Sequence, residues 1–364
     1  GAPAGVKGIS LFIVPKFLVD DEGNPTERNG VSLAGLIHKL GYRGTTSTAL
    51  SFGDDAPCHG YLVGEPHQGL KYMFQMMNEA RVGVGFGAAV IGYRGYMHSL
   101  EYAKDRLQGR KASEKNPESP QVPIIDHADV RRMLLAQKAY SEGGLALCLY
   151  GARLMDDQHT HPDDQKRQEA GKLLDLLTPV IKAWPSEYGP KANDLAIQVY
   201  GGAGYTREYP VEQCWRDNRL NPIHEGTNGI QALDLLGRKI WQDQSHGLQL
   251  LMQEMQVDLQ AATTDRCQQW ALSLSETLQQ AVKVTQSLME GDPDKTLANA
   301  SCYLHLFGHI IVAWMWLRQA NAAAHALGSA NTDDERNFYQ GKLQAAQYFF
   351  HWELPTVAQD LVLL

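Results

Sequence analysis

The sequence has 364 residues, 43% of them hydrophobic and 20% charged, with a formal net charge of −8. This composition is typical of a globular protein with two or three domains of about 150 residues each, and it excludes a disordered or fibrous chain. The negative charge and the absence of a long Lys/Arg run argue against a nucleic-acid-binding protein.

The five cysteines show no CxxC spacing. We therefore expect free thiols in a reducing compartment, a cytoplasmic location and no zinc or other metal site. The first residues, Gly-Ala-Pro-Ala-Gly, give no indication of an export signal. Residues 303–317 form the most apolar stretch, but they are too few for the ~20 residues of a membrane span, so a buried helix is predicted and no transmembrane segment.

Residues 1–66 have the pattern of strands and turns. Residues 8–15 form a β-rich run, residues 20–25 have the composition of a hairpin loop, and residues 45–52 and 60–63 fit further strands. These segments are too few to close a barrel, so we expect a partial β domain.

From about residue 69 the apolar residues recur at helical spacing, which predicts a helix to about Lys104. Residues 107–123 are polar and contain prolines, so they predict a surface loop. A long helix is expected from Ala128 past Leu149. After a break at residues 159–162, separate helices are expected at 167–188 and 191–200.

The last third of the sequence is again helical in pattern. Leu274, Leu278, Ala281 and Leu288 form one stripe that ends at residues 291–293. Residues 297–327 and 335–352 predict two more helices. This part is expected to be an additional helical domain.

Two glycine-containing stretches are the most informative about chemistry. Residues 198–212 read Gln-Val-Tyr-Gly-Gly-Ala-Gly-Tyr-Thr-Arg-Glu-Tyr-Pro-Val-Glu, and residues 223–231 read Ile-His-Glu-Gly-Thr-Asn-Gly-Ile-Gln. Glycines after a helix let the backbone approach another surface or a ligand. Thr227 precedes a helical pattern and is expected as its N-cap, and Glu225 is either an ordinary acid before the helix or a functional carboxylate.

Together with earlier segments, these stretches resemble the acyl-CoA dehydrogenase family over residues 6–240. The earlier segments are Lys-Gly-Ile-Ser-x-Phe at 7–12, Lys-Leu-Gly-Tyr-Arg at 39–43, Leu-Val-Gly-Glu at 62–65, Asn-Glu-Ala-Arg-Val-Gly at 78–83 and Arg-Leu-Gln-Gly at 106–109. The resemblance implies a mainly α fold with a partial β domain, that is, an acyl-CoA dehydrogenase-like helical bundle plus a second C-terminal helical domain. The expected domains are a partial middle β domain (1–66), the helical bundle (67–240) and the additional helical domain (241–364).

The resemblance implies that Glu225 is the catalytic base. It would remove the α-proton of an acyl-CoA thioester while the β-hydrogen leaves as hydride to N5 of FAD. A carboxylate is a weak base at its ordinary pKa, and exclusion of water by an apolar acyl chain would raise that pKa. Gly226 would give the thioester room and offer it a backbone N–H, and His224 is interpreted as a pocket wall rather than a proton shuttle.

Two residues of one helix are implied to bind the substrate. Arg81 matches the family's CoA-contacting arginine, and a guanidinium suits phosphate groups. Asn78 stands where the family usually has Asp, a change that keeps hydrogen bonding but removes a charge.

The implied FAD-binding residues come from distant parts of the chain. Arg106 matches an arginine that reaches the FAD of a neighbouring subunit. Gln198, Gly201 and Gly202 match residues that receive the adenosine end of that cofactor, and Thr227 would contact flavin phosphate or ribose. These matches imply a homodimer or a dimer of dimers.

The sequence departs from the family pattern near the arginine. The family's Phe-Gly is reduced to Gln108-Gly109, and Ala128 replaces the glutamine expected after His127. The loop between Arg106 and His127 is also longer than usual.

The region after residue 241 resembles the long-bodied, 3-methylthiopropanoyl-CoA dehydrogenase-like branch of the family. Electron-transferring flavoprotein is the expected partner, and the family's N-terminal helical domain and first half of its β domain are expected to lie outside this sequence. One alternative is a DNA-associated flavoprotein of the alkylation-response type with vestigial dehydrogenase activity, although the acidic C-terminal region disfavours phosphate attraction. Another is a helical interaction module.

Overall fold

The computed structural model describes residues 1–243 and 245–364, which form two compact units, Gly1–Ala80 and Arg81–Leu364. The fold is mainly helical with a small β part, as predicted. The first long helix, α1 (Gly69–Asp105), begins in the first unit and continues in the second.

The first unit contains short antiparallel strand pairs. The strands are β1 (Phe12–Ile13), β2 (Phe17–Val19), β3 (Pro25–Arg28), β4 (Val31–Leu36), β5 (Thr48–Phe52) and β6 (Tyr61–Leu62). They pair as β1 with β6, β2 with β3 and β4 with β5. The predicted hairpin is confirmed, because Asp20 joins β2 to β3 and its Oδ1 accepts the backbone N–H groups of Glu22 and Asn24. The β-rich run at 8–15 is reduced to the two residues of β1.

The second unit consists of helices. They are the rest of α1, then α2 (Ala128–Thr160), α3 (Asp164–Tyr200), α4 (Val211–Asn218), α5 (Asn228–Leu233), α6 (His246–Gln260), α7 (Asp265–Met289), α8 (Pro293–Ala298), α9 (Ala300–Leu327), α10 (Asp333–Tyr348) and α11 (Ala358–Leu363). A π-helical segment, Asp234–Gln242, continues α5. The predicted loop at 107–123 is confirmed and is closed by a bridge between Leu107 and Pro123.

The prediction of two separate helices at 167–188 and 191–200 is wrong. The structure has one helix, α3, with Pro179, Pro185 and Pro190 inside it. An interior proline removes one backbone hydrogen bond and costs about 3 kcal/mol in an exposed helix. The central part of α3 is buried almost continuously, so packing outweighs that cost.

Helices α1 and α3 approach each other at backbone distance. A Cβ atom built on Gly85 of α1 would lie 2.0 Å from the carbonyl oxygen of Ile181, and one built on Gly189 of α3 would lie 2.5 Å from that of Ala88. These glycines are required because a side chain at either position would push the helices apart. The close crossing fixes the relative placement of the two helices that carry Arg81 and Lys182.

Helix α9 lies at the centre of the second unit. It is long and apolar enough to span a membrane by length and composition alone, but 83% of its most apolar window is buried inside the protein. Its buried surface includes Trp314 and Trp316, and the Trp316 indole donates to the Ala139 carbonyl of α2 at 3.1 Å. The predicted buried helix is thus confirmed, and the C-terminal helices share one apolar core with the preceding bundle.

Candidate functional site

A loop between α4 and α5, residues 219–227, carries the acid that the sequence analysis singled out. We call it the Glu225 loop. Its last residue, Thr227, is the N-cap of α5, as predicted, and its side-chain oxygen accepts the N–H of Ile230 at 3.3 Å. The backbone N–H of Asn228 donates to the Pro222 carbonyl at 3.0 Å, which folds the loop back on itself.

Glu225 has an unusual backbone conformation. Its φ is +53° and that of Gly226 is +87°. A left-handed conformation is uncommon for a residue with a side chain and costs about 1–2 kcal/mol. Such strain persists only where the surroundings enforce it, and it is concentrated at functional sites. The Glu225 side chain is exposed.

Gln231 of α5 enforces this conformation. It is fully buried, and its side-chain Nε2 donates to the carbonyls of Glu225 and Gly226, each at 3.3 Å. A Cβ atom at Gly226 would lie 2.6 Å from the same nitrogen, so glycine is required there. Among the described residues, no hydrogen bond is formed by the Gly226 N–H, which leaves this donor available.

A chain of buried side-chain amides supports the loop from beneath. Asn218 donates to the Asn193 side chain at 2.7 Å and to the Ala88 carbonyl of α1 at 3.0 Å. Asn221 donates to Asn218 at 2.7 Å, and the ring Nε2 of His224 lies 3.1 Å from the Asn221 Oδ1. Because that oxygen can only accept, His224 Nε2 carries the proton in this arrangement.

His224 is half-buried beside Glu225. Burial lowers the pKa of its imidazole, the charge of Lys182 lowers it further, and Glu225 opposes these effects. The ring is therefore neutral near pH 7. Its roles as a pocket wall and as a substrate contact stay predictions.

Lys182 is the most important residue that the sequence analysis did not identify. It lies on α3, is fully buried, and its ammonium donates to the Asn221 carbonyl at 2.7 Å. Its pKa is lowered to about 8, chiefly by burial and also by the charge of Arg81, while Glu225 acts in the opposite direction. The sequence signal was a lysine inside the apolar run Val-Ile-Lys-Ala-Trp at 180–184.

Arg81 is buried and paired rather than open to solvent. Its Nη1 lies 3.1 Å from the Asp234 carboxylate, which Arg238 also approaches at 3.6 Å. The contacts support a structural role in joining α1 to the end of α5, and the predicted CoA contact stays a prediction. Asn78 is an exposed residue of α1 in the first unit.

The structure brings together three of the five predicted FAD-binding residues, and Thr227, at the start of α5, does not line the same cavity. Arg106, Gln198 and Gly201 line one cavity of about 400 Å³. The other lining residues are Tyr102, Gln108, Gly109, Ile124, His127, Val130, Val199 and Tyr200. The predicted Gly202 follows directly at its edge and is exposed.

This cavity combines an exposed cation with an open segment of backbone. The Arg106 side chain is exposed, and among the described residues it forms no salt bridge. A Cβ atom at Gly201 or Gly202 would meet nothing within 4 Å, so space is available for a ligand to approach the backbone. Gln108 and Gly109, where the sequence departs from the family pattern, line the same cavity, and the Gln108 carbonyl lies 2.8 Å from the His127 ring.

Comparison with protein families accounts for most of the chain. The family described as "Acyl-CoA dehydrogenase, C-terminal domain" matches residues 67–241, and "Acetyl-CoA dehydrogenase C-terminal like" matches residues 251–364.

Curated relatives cover nearly the whole chain. They include the broad-specificity linear acyl-CoA dehydrogenase FadE5 of Mycobacterium tuberculosis, 38% identical over 98% of this chain and 60% of its own. The 3-methylmercaptopropionyl-CoA dehydrogenase of Ruegeria pomeroyi is 35% identical over 96% of this chain and 58% of its own. The chain thus spans about 60% of the length of these relatives.

Solved structures show the same fold. Caenorhabditis elegans ACDH-11 in complex with C11-CoA superposes with a TM-score of 0.78 at 18% identity, covering 96% of this chain and 54% of its own. An acyl-CoA dehydrogenase complexed with FAD from Bacillus anthracis gives a TM-score of 0.73 at 18% identity. The match covers 97% of this chain and 61% of that protein.

Proposed function

Because the chain belongs to the acyl-CoA dehydrogenase family, we propose that the protein is an FAD-dependent oxidoreductase that introduces an α,β double bond into an acyl-CoA thioester. The observation that carries the proposal is the exposed Glu225 carboxylate, held in a left-handed backbone conformation beside Gly226. Strain at an exposed acid that is fixed by a buried glutamine is expected of a positioned base.

Glu225 removes the α-proton of the substrate. Its carboxylate is the acceptor, and the Gly226 N–H is the donor available to the thioester oxygen, where negative charge develops as the proton leaves. An apolar acyl chain would exclude water from the loop, and a carboxylate removed from water is a stronger base than a solvated one. His224, as a neutral ring, forms one wall of the proposed substrate site and adds no charge to that site.

FAD, when bound, supplies the acceptor for the hydride from the β-carbon. The cavity at Arg106 fits the adenosine and phosphate end of this cofactor, since it joins an exposed guanidinium to a backbone segment without side chains at Gly201 and Gly202. Thr227 holds the start of α5 and is the proposed contact to flavin phosphate or ribose. In the family these contacts come from a neighbouring subunit, so we propose a homodimer or a dimer of dimers, with electron-transferring flavoprotein as the oxidant.

Anaerobic titration of the purified, flavin-loaded protein with a panel of acyl-CoAs tests the proposal. The absorbance of oxidised flavin near 450 nm should fall with at least one acyl-CoA, and Glu225→Gln should retain FAD but lose the bleaching. Glu118→Gln, in the surface loop, is the matched control and should bleach like the unmodified protein.

Bleaching of the Glu225→Gln protein at an undiminished rate would exclude Glu225 as the base. Absence of bleaching with every acyl-CoA in the panel would count against the activity itself. The named relatives give no support to the DNA-associated alternative.

A further inference from the structure

The buried amide chain beneath the Glu225 loop runs in one direction, and backbone carbonyls of α1 set that direction. The Asn193 side chain donates to the Ile91 carbonyl at 3.0 Å, and the Asn218 side chain donates to the Ala88 carbonyl at 3.0 Å. Because a carbonyl oxygen can only accept, the places of the amide nitrogen and the amide oxygen are fixed in both side chains.

This direction continues to the ring of His224. The Asn218 oxygen accepts from the Asn221 side-chain nitrogen at 2.7 Å, so the Asn221 oxygen is the atom that lies 3.1 Å from His224 Nε2. Asn218 is fully buried and Asn221 is 2% exposed, which strengthens both bonds because water does not compete for them.

The hydrogen of the His224 ring is therefore held on Nε2. The pKa of the ring is lowered, chiefly by burial, and a neutral ring carries a single N–H. Its other nitrogen, Nδ1, forms no hydrogen bond with the described residues. The one donor of the ring thus points into the protein.

Glu225 is held from both sides along the backbone. On its N-terminal side, the adjacent His224 is bound to Asn221. On its C-terminal side, Gln231 donates to the Glu225 carbonyl at 3.3 Å. The Asn221 carbonyl is itself fixed by a 2.7 Å hydrogen bond from the buried Lys182. A φ of +53° persists at Glu225 only while its surroundings enforce it, and these contacts do so.

We propose that Asn221 is a positioning residue for Glu225: its side-chain oxygen holds the Nε2–H of His224 and so fixes the backbone that leads into Glu225. The inference rests on the proposed function, because it assigns Asn221 a part in placing the base. It also assigns His224 the part of a donor to the protein, which leaves its ring without a hydrogen to give to the substrate.

NMR of 15N-histidine-labelled protein tests this arrangement without turnover. The ring N–H of His224 is identified by its absence from His224→Gln, and it belongs to Nε2 when its nitrogen couples to both carbon-bound ring protons. We expect this Nε2–H to exchange slowly with water. In Asn221→Leu, which keeps the branching of the side chain, exchange should be at least about fivefold faster, because a hydrogen bond worth about 1 kcal/mol is lost.

Turnover of Asn221→Leu shows whether the contact serves the base. We expect kcat to fall at least about fivefold while KM changes less than about threefold, because the buried Asn221 orients the acid and does not contact the substrate. Asn321→Leu is the matched control: its amide also donates to a backbone carbonyl, that of Asp258 at 3.1 Å, but between α9 and α6. It should change neither the His224 signal nor kcat.

Two replacements of the half-buried His224 separate a donor from a plain wall. Glutamine keeps an amide nitrogen near the place of Nε2, whereas phenylalanine keeps the ring and removes the donor. Under the proposal, kcat of His224→Gln is at least about fivefold higher than that of His224→Phe. A ring that acts as a wall alone gives the opposite order.

A His224 hydrogen found on Nδ1 overturns the proposal, and this result stands even where Asn221→Leu does not fold. A kcat of His224→Phe equal to or above that of His224→Gln overturns it as well. A slowly exchanging Nε2–H in a protein that oxidises no acyl-CoA would remove the proposed function but keep the hold of Asn221 on the loop. Normal oxidation with the hydrogen on Nδ1 would do the reverse.

Discussion

The side chain of Gln231 donates to the backbone carbonyl of Glu225 at 3.3 Å, so a fully buried glutamine on α5 holds the backbone of an exposed acid. Replacement by leucine removes this bond and the one to Gly226 while retaining most of the side-chain volume. We expect Gln231→Leu to lower kcat at least about tenfold, since each lost hydrogen bond is worth about 1 kcal/mol and the loop relaxes from its strained conformation.

The measurement is steady-state oxidation of an accepted acyl-CoA, together with the melting temperature. Gln340→Ala, on the exposed side of α10, is the control and should have the kcat and the melting temperature of the unmodified protein. Full activity in Gln231→Leu would show that the conformation of Glu225 does not depend on this side chain.

Gly226 tolerates no side chain. Gly226→Ala places a Cβ atom 2.6 Å from Gln231 Nε2 and forces alanine to a φ of +87°. We expect a loss of about 1–3 kcal/mol in the free energy of unfolding and a larger relative loss of kcat, because the loop itself is displaced.

Chemical denaturation and turnover measure these two effects separately. Gly171→Ala in α3 is the matched control, because its new Cβ would make only ordinary contact with Gln158. An unaltered rate of turnover in Gly226→Ala would contradict the close approach that the structure shows.

Arg106 should govern FAD affinity. Arg106→Ala removes the guanidinium from the cavity that also contains Gln198 and Gly201. A charge-assisted contact to phosphate is worth about 1.5–3 kcal/mol, so we expect the Kd for FAD to rise by roughly 10- to 100-fold. Quenching of FAD fluorescence on binding provides the measurement.

Arg153→Ala, which removes an exposed arginine of α2, should bind FAD normally. Equal affinity in Arg106→Ala and in the unmodified protein would remove this cavity as the FAD site.

His309 should make stability depend on pH. The pKa of its ring is lowered to about 3, chiefly by burial and also by His305 and Lys191, while the hydrogen bond with the His305 backbone carbonyl acts in the opposite direction. Tyr188 and Phe349 pack against the same ring. The unfolded chain binds a proton with a pKa of about 6.5, so stability is lost as pH falls below that value, by up to about 1.4 kcal/mol per pH unit.

Melting temperatures of the unmodified protein and His309→Gln at pH 7.5 and pH 5 test this expectation. Between pH 7.5 and pH 5, the melting temperature of the unmodified protein should fall by more than that of His309→Gln. An identical fall in melting temperature in both proteins would show that a group other than His309 causes the loss of stability at acidic pH.

The parts of the site that the sequence could predict are local or belong to recognisable motifs. Glu225, Gly226 and Thr227 are consecutive, and the N-cap role of Thr227 follows from its hydroxyl before a helical pattern. Lys182 could not be predicted, because its partner Asn221 lies 39 positions away and the contact depends on how α3 packs under the Glu225 loop.

Dependence on packing between distant residues also explains why two helices were predicted where the structure has the single helix α3. A proline-based rule correctly identifies positions without a backbone donor, but it cannot weigh that loss against burial that depends on distant helices. Pro190 lies between the two predicted helices, yet the chain around it is buried and remains helical. The burial of Arg81 against Asp234 could not be predicted either, because the two residues are 153 positions apart and meet only when the helices pack.

The glycine contacts between α1 and α3 give the site one further property. Where two backbones touch, there are no side-chain rotamers between them to rearrange, so the spacing of the two helices that carry Arg81 and Lys182 is set by peptide geometry. The position of Lys182 beneath the Asn221 carbonyl of the Glu225 loop is therefore established when the helices fold rather than when a ligand arrives. The support of the Glu225 loop is preorganised, and binding energy need not be spent on creating it.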